Sequence, residues 1–196
     1  NILVGTQMIA KGFDFENVSL VGIIDADNML NFPDFRSHER AFQLMSQVSG
    51  RAGRKGNQGI VVLQTYNPDQ EIINHVKSHS FSKFYNLQLR ERAIFNYPPF
   101  SRLIIIKFRH TDHFVVDSVS EIFASIMKES FKHRVLGPEY PIVSKVRNYF
   151  IKNVLLKVEL GKSFSKAKEI ISAIIKHMKE NKILNRCVVQ IDIDPN

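Results

Sequence analysis

The stretch Gln47-Val48-Ser49-Gly50-Arg51-Ala52-Gly53-Arg54 decides how the first half of the chain folds and what it can do. Gln47, Arg51 and Arg54 stand at i, i+4 and i+7, so on one continuous helix they share a face. An amide and two guanidiniums on one face pack poorly but grip phosphate oxygens well. Gly50 and Gly53 clear side chains from places where backbone comes close to a neighbour or a ligand. An arginine set against a γ-phosphate stabilises the charge that develops in phosphoryl transfer, an effect worth about 10³–10⁵ in rate. Taken alone, the same residues also suit a helix C-terminus, with cations near the dipole and a glycine cap. The surroundings favour the phosphate reading. Ala41, Phe42, Leu44, Met45 and Val48 recur at helical spacing just upstream, so a helix over residues 39–48 leads into the stretch.

Working outward, residues 2–4, 19–24 and 59–64 are short β-branched apolar runs of the kind that form buried parallel strands. Asp25-Ala26-Asp27 falls where the second of these ends, the edge at which α/β sheets bind ligands. These two carboxylates are expected to make inter-lobe or helix-start hydrogen bonds rather than to hold a metal. Asn67-Pro68-Asp69 can start a helix, and a longer one is expected over residues 80–94. The first half therefore reads as α/β, a parallel sheet with helices.

Tyr97-Pro98-Pro99-Phe100 breaks any helix and marks a boundary between residues 1–96 and 97–196. Beyond it the pattern predicts a strand over 103–108 and a helix over 115–131. An irregular strand region over 136–146 and a strand over 149–158 follow, then a helix over 165–178 and a strand over 187–193. That order is βαββαβ, the split ferredoxin-like unit.

Charge separates the halves. Residues 1–99 hold 10 Lys/Arg against 9 Asp/Glu, whereas residues 100–196 hold 17 against 10. A basic second half suits a polyanionic partner, because phosphate contacts dominate nucleic-acid affinity. Lys145, Arg147, Asn148, Tyr149 and Lys152 mix cations with an aromatic ring, a composition that holds single strands by their phosphates and bases. We therefore take Lys145, Arg147, Tyr149 and Lys152 as candidate DNA contacts. The lysines at 162, 166, 168, 176, 179 and 182 read instead as a solvated helix face.

No apolar run reaches the roughly 20 residues of a membrane span. The start at Asn1-Ile2-Leu3-Val4-Gly5, inside an apolar run and without a signal peptide, reads as an internal point of a longer protein. The single cysteine, Cys187, has no CxxC partner, and the seven histidines form no coherent set, so no metal site is expected in this chain.

The segment Gln47 to Arg54 resembles motif VI of the superfamily 2 helicases. Gly5-Thr6-Gln7-Met8-Ile9-Ala10-Lys11-Gly12-Phe13-Asp14-Phe15 is similar to their motif V. With Leu20–Asp27, the 33–54 run, the Tyr-Pro-Pro-Phe boundary and the ending Ile191-Asp192-Ile193-Asp194-Pro195, the whole chain resembles the primosomal, replication-restart members of that superfamily. The usual His of the family is Phe13 here, so any polar contact from that position is lost.

The resemblance implies a RecA-like second helicase lobe, cut to its C-terminal part, followed by a ribosomal-protein-like DNA-binding domain. It implies catalytic roles for Arg54, Arg51 and Gln47, and ATP contacts from Gly12 and Asp14 together with Arg51 and Arg54. Thr6 would touch a DNA phosphate. The parent would be an ATP- and Mg²⁺-dependent 3′-to-5′ DNA helicase of the cytoplasm and nucleoid, restarting stalled forks. It would bind forked and single-stranded DNA, single-strand-binding protein and primosome loader proteins, and carry zinc outside this chain. The 196 residues contain no GxxxxGK[ST] phosphate loop and no DExH box, so alone they are expected to lack ATPase activity. Two alternatives stay open: another superfamily 2 DNA helicase, and a non-catalytic nucleic-acid-binding protein with a degenerate helicase lobe.

Overall fold

A computed structural model describes residues 2–6, 18–53, 59–184 and 187–195 of the chain. The chain divides into two compact units, Asn1–Glu91 and Arg92–Asn196. The division falls a few residues before Tyr97 because the intervening residues are hydrogen-bonded into the second unit. There the Tyr97 amide donates to the Arg92 carbonyl at 2.8 Å, and Lys157 Nζ donates to the Phe95 carbonyl at 2.7 Å.

In the first unit, β1 (Leu20–Ile23) pairs in parallel with β2 (Ile60–Leu63), Leu20 opposite Ile60 and Ile23 opposite Leu63. A parallel pair needs a crossover, and here α1 (Ala26–Leu30) and α2 (Ser37–Ser49) lie between the two strands. α3 (Glu71–Lys77) and the longer α4 (Phe81–Ile94) follow. Ala41, Phe42 and Met45 of α2 turn inward at helical spacing, meeting Leu30, Ile72, Ile73, Val76 and Phe84. The rings of Phe42 and Phe84 stack at 4.3 Å. The strand expected at residues 2–4 is not formed. Ile2 and Val4 are exposed and belong to no ladder among the described residues.

The second unit is an antiparallel sheet with two helices. Its elements are β3 (Ser101–His110), α5 (His113–Phe131), β4 (Val135–Glu139), β5 (Lys145–Val146), β6 (Tyr149–Glu159), α6 (Phe164–Glu180) and β7 (Val188–Ile193). The strands run in the order β4-β6-β3-β7, with β5 added on β6. This is the ferredoxin-like βαββαβ sheet expected from the order of elements.

Strand periodicity assigns the faces. Ile104, Ile106 and Phe108 of β3 lie opposite Leu156, Val154 and Lys152 of β6, and all six are buried. Over that face α5 lays Val116, Val119, Phe123 and Met127, and α6 lays Ala167, Ile171, Ile174 and Met178. Each of these side chains larger than alanine contributes about 1.5–3 kcal/mol by leaving water. Both helices start on side-chain caps: Asp112 accepts from the Phe114 amide at 2.9 Å, and Ser163 from the Lys166 amide at 3.2 Å.

The terminal Ile191-Asp192-Ile193-Asp194 segment has a structural account. Asp192 accepts from Lys107 Nζ at 2.9 Å. Asp194 accepts from Arg102 Nε at 2.9 Å and from the Leu103 amide at 3.2 Å, pinning β7 to β3.

Candidate nucleotide and nucleic-acid sites

From Gln47 to Gly53 the chain does not stay helical. α2 ends at Ser49, and its C-cap Gly50 keeps a right-handed conformation with its amide bonded to the Ser46 carbonyl at 3.0 Å. Arg51 and Ala52 then close tight turns on the Val48 and Ser49 carbonyls at 3.0 and 3.2 Å. Gln47 therefore stands exposed on the last turn of the helix, while the half-buried Arg51 sits on the turn beyond it. For Gln47 and Arg51 the condition of one continuous helix is therefore not met: i→i−3 closure at residues 51 and 52 takes the chain out of the α-helical register. Gly53 has φ 78°, where a glycine costs least, and its amide donates to the Val18 carbonyl at 3.1 Å. Gly59 approaches the same turn so closely that a Cβ on it would collide with the backbone of Ala52 and Gly53. Thr6 is exposed. Gly12, Asp14 and Arg54 lie outside the described residues.

Asp25 and Asp27 work as local hydrogen-bond acceptors. Asp25 caps α1 through the Asn28 amide at 3.3 Å, itself at φ 53°. Asp27 accepts from Thr65 Oγ1 and the Tyr66 amide, both at 2.9 Å, tying α1 to the chain just after β2. Among the described residues no group of three or more His, Cys, Asp or Glu side chains is placed to hold a metal ion. Nor is any helix of the described residues long and apolar enough to cross a membrane.

The second candidate site is the β5–β6 hairpin. Val146 lies opposite Tyr149 and Lys145 opposite Phe150, which leaves Arg147 and Asn148 as a two-residue turn. Both take positive φ, 47° and 67°, the signature of the type I′ turn that matches strand twist. Asparagine tolerates this conformation, whereas arginine adopts it against its preference. Lys145, Arg147 and Tyr149 are all exposed here.

Lys152 stands apart from them. It has the parity of Val154 and Leu156 and so points under the helices, where its side chain is 9% exposed. Its ammonium donates to Asp117 at 2.7 Å and lies 3.5 Å from Glu121. Tyr140 also donates to Asp117, at 2.8 Å. The Lys152 hydrogen bond chiefly holds the Asp117 carboxyl below its ordinary range, while burial and the Asp117 contact push the Tyr140 hydroxyl up to about 12. A lysine held this way is a structural cation, not one offered to DNA.

The model of the primosomal protein N C-terminal domain matches residues 93–196, and that of the helicase conserved C-terminal domain matches residues 1–56. The chain belongs to the primosomal protein N family. Among its curated relatives is the replication restart protein PriA of Bacillus subtilis, 34% identical over all of this chain and 24% of the relative. The protein of that name from Borreliella burgdorferi is 35% identical over all of this chain and 29% of its own length. That of Treponema pallidum is 40% identical over 80% of this chain and 24% of its own. The chain thus spans about a quarter of the length of these relatives.

Within this member of the primosomal protein N family, three residues join the hairpin that composition did not single out. The Arg109 guanidinium lies 5.4 Å over the Tyr149 ring, Lys145 Nζ lies 4.6 Å over the Phe150 ring, and the His113 ring lies 5.6 Å from Phe150. Arg109 was hidden by distance in sequence. Only the β3–β6 register, with Arg109 opposite Ile151, brings it beside the hairpin.

Proposed function

We propose that this chain serves an ATP-driven DNA helicase of replication restart, supplying part of the nucleotide site and a DNA-binding domain. The observation that carries the reading is the segment from Gln47 to Gly53, in a chain of the primosomal protein N family whose first 56 residues match a helicase domain. An exposed amide at the last turn of α2 and a guanidinium on the turn that follows are chemistry suited to a triphosphate. In this reading Gln47, Arg51 and Arg54 contact the phosphates, and Gly12 and Asp14 lie at the ribose. ATP with Mg²⁺ supplies the phosphoryl group that is transferred; the arginines offset negative charge as it develops. Thr6 joins the nucleotide site to a DNA phosphate. Lys145, Arg147 and Tyr149 hold DNA in the second unit, while Lys152 is assigned to its ion pair.

The whole protein would translocate 3′ to 5′ at stalled forks, with single-strand-binding protein and primosome loaders as partners and zinc bound elsewhere in its length. The test is Arg54→Ala in the full-length protein. DNA-stimulated ATP hydrolysis should fall by at least about 10²-fold with DNA affinity kept within about twofold. Hydrolysis near the wild-type rate would remove Arg54 from the nucleotide site.

A further inference from the structure

α4 carries the chain from the first unit into the second: Phe84 belongs to the buried cluster of the first, and residues from Arg92 onward belong to the second. Such boundaries are commonly loose, polar linkers, but here the backbone acceptors are taken one after another. Asn96 has φ 51°, and its amide donates to the Ala93 carbonyl at 3.4 Å while the Tyr97 amide donates to that of Arg92 at 2.8 Å. Together these bonds are a Schellman closure with asparagine in the left-handed position. The Asn96 carbonyl accepts from Ser101 Oγ on β3 at 2.6 Å, and the Pro98 carbonyl from the Arg92 guanidinium at 3.3 Å. The Phe95 carbonyl, at the open end of the helix, accepts from Lys157 Nζ on β6 at 2.7 Å. The same ammonium stands 3.6 Å over the Tyr97 ring.

Strand parity puts Lys157 on the sheet face away from α5 and α6, opposite Leu103. A cation at a helix C-terminus meets the negative end of the dipole, and the face of a ring adds to the attraction. Neither partner is a carboxylate, and burial holds the Lys157 pKa below its ordinary 10.5. An ammonium placed at such a cost in solvation is better explained by what it ties together than by stability alone. Ser101 lies five residues from its acceptor, whereas Lys157 lies 62 residues from its own and so binds the helix end to a distant strand. We propose that Lys157 is a coupling residue: it keeps the C-terminal end of α4 closed on the sheet, so that movement driven by the ATP cycle passes along the chain into the second unit instead of being lost as slack at the joint. Lys157 touches neither nucleotide nor DNA in this role; it positions the segment through which the two activities are linked. The inference rests on the motor part of the reading above.

The full-length protein tests it, with DNA-stimulated ATP hydrolysis and unwinding of a forked duplex measured on the same preparation. Lys157→Met keeps the apolar stem and removes the cation. It should leave hydrolysis and DNA affinity within about twofold of wild type and slow unwinding about fivefold, so that more ATP is consumed per base pair opened. Lys157→Arg keeps a cation at the helix end and should bring unwinding back to within about twofold. Inserting two glycines between Asn96 and Tyr97 lengthens the joint with Lys157 intact, and should give the same loss of unwinding with hydrolysis retained. Equal falls in hydrolysis and unwinding for Lys157→Met, with a lowered Tm, would make Lys157 a stabilising residue only and overturn the inference. Unwinding at the wild-type rate, in Lys157→Met or after the insertion, would overturn it as well. If the unmutated protein hydrolysed no ATP or opened no duplex, the motor reading itself would fail, whatever the variants did.

Discussion

At the scale of single residues, Lys152 shows how position along a strand decides what a charge does. Its ammonium is buried among apolar side chains and has Asp117 as its main acceptor. Asp117→Asn keeps the shape but removes the anion, leaving a buried cation with only the more distant Glu121; we expect a loss of about 1–3 kcal/mol in urea unfolding. Lys152→Met removes the charge and puts apolar volume on a face already apolar, so stability should stay within about 1 kcal/mol and DNA affinity should not change. A clear fall in DNA affinity for Lys152→Met would return this residue to the binding surface. The sign with pH follows from Asp117, whose folded-state carboxyl is held below its ordinary 3.8. Its contribution is complete above that value and is lost as pH falls through the folded-state pKa. The Tm gap between wild type and Asp117→Asn should therefore shrink on going from about pH 6 to about pH 3. The basic cluster at 145–152 was legible as composition, and the separate fate of Lys152 lay in its parity with Val154 and Leu156. The partners Asp117 and Arg109 were not legible, because a helix and a register bring them there.

At the scale of elements, the alternation of period two with period 3.6 was enough to order the whole second unit as βαββαβ. Most predicted bounds came within a few residues of those observed, since apolar strands and amphipathic helices each bury one face. Irregular geometry was less readable. The stretch around Gly137-Pro138 looked like a broken strand; it is β4 with a register shift between Leu136 and Glu139, at a glycine with φ 87°. A Cβ at position 137 would lie 2.8 Å from the Asn153 carbonyl oxygen on β6. Gly137→Ala therefore combines an unfavourable backbone region with a contact that neither strand can easily relieve. We expect about 1–3 kcal/mol of destabilisation, read as a lowered urea midpoint with an unchanged m-value. A substitution without effect would mean that β4 can shift its bulge. The end of α2 at Ser49 falls within one residue of the expected Val48, but the geometry of its cap was not readable, because Gly50 ends the helix without the left-handed conformation that marks many glycine caps.

At the scale of the whole molecule, the two units differ in how completely each buries its own secondary structure. The unit from Arg92 onward encloses one continuous core, from Ile104 and Phe108 through Phe123 and Met127 to Leu156 and Met178, with both helices on one sheet face. The described part of the first unit has a sheet of two strands, and Leu20, Ile60 and Val62 on it are 59%, 61% and 53% exposed. Its buried cluster lies mainly among helices, with Ile23 and Leu63 as partly buried strand contributions. Two parallel strands with this much apolar surface in water are a weak folding unit, because hydrophobic burial is what offsets the conformational entropy of ordering the chain. Residues 92–196 expressed alone should therefore unfold in one cooperative transition by near-UV circular dichroism. Residues 1–91 alone should show weak or no cooperativity and bind a hydrophobic dye such as ANS. A single sharp transition for residues 1–91, without dye binding, would mean that the helical cluster around Phe42 and Phe84 suffices to hold that unit.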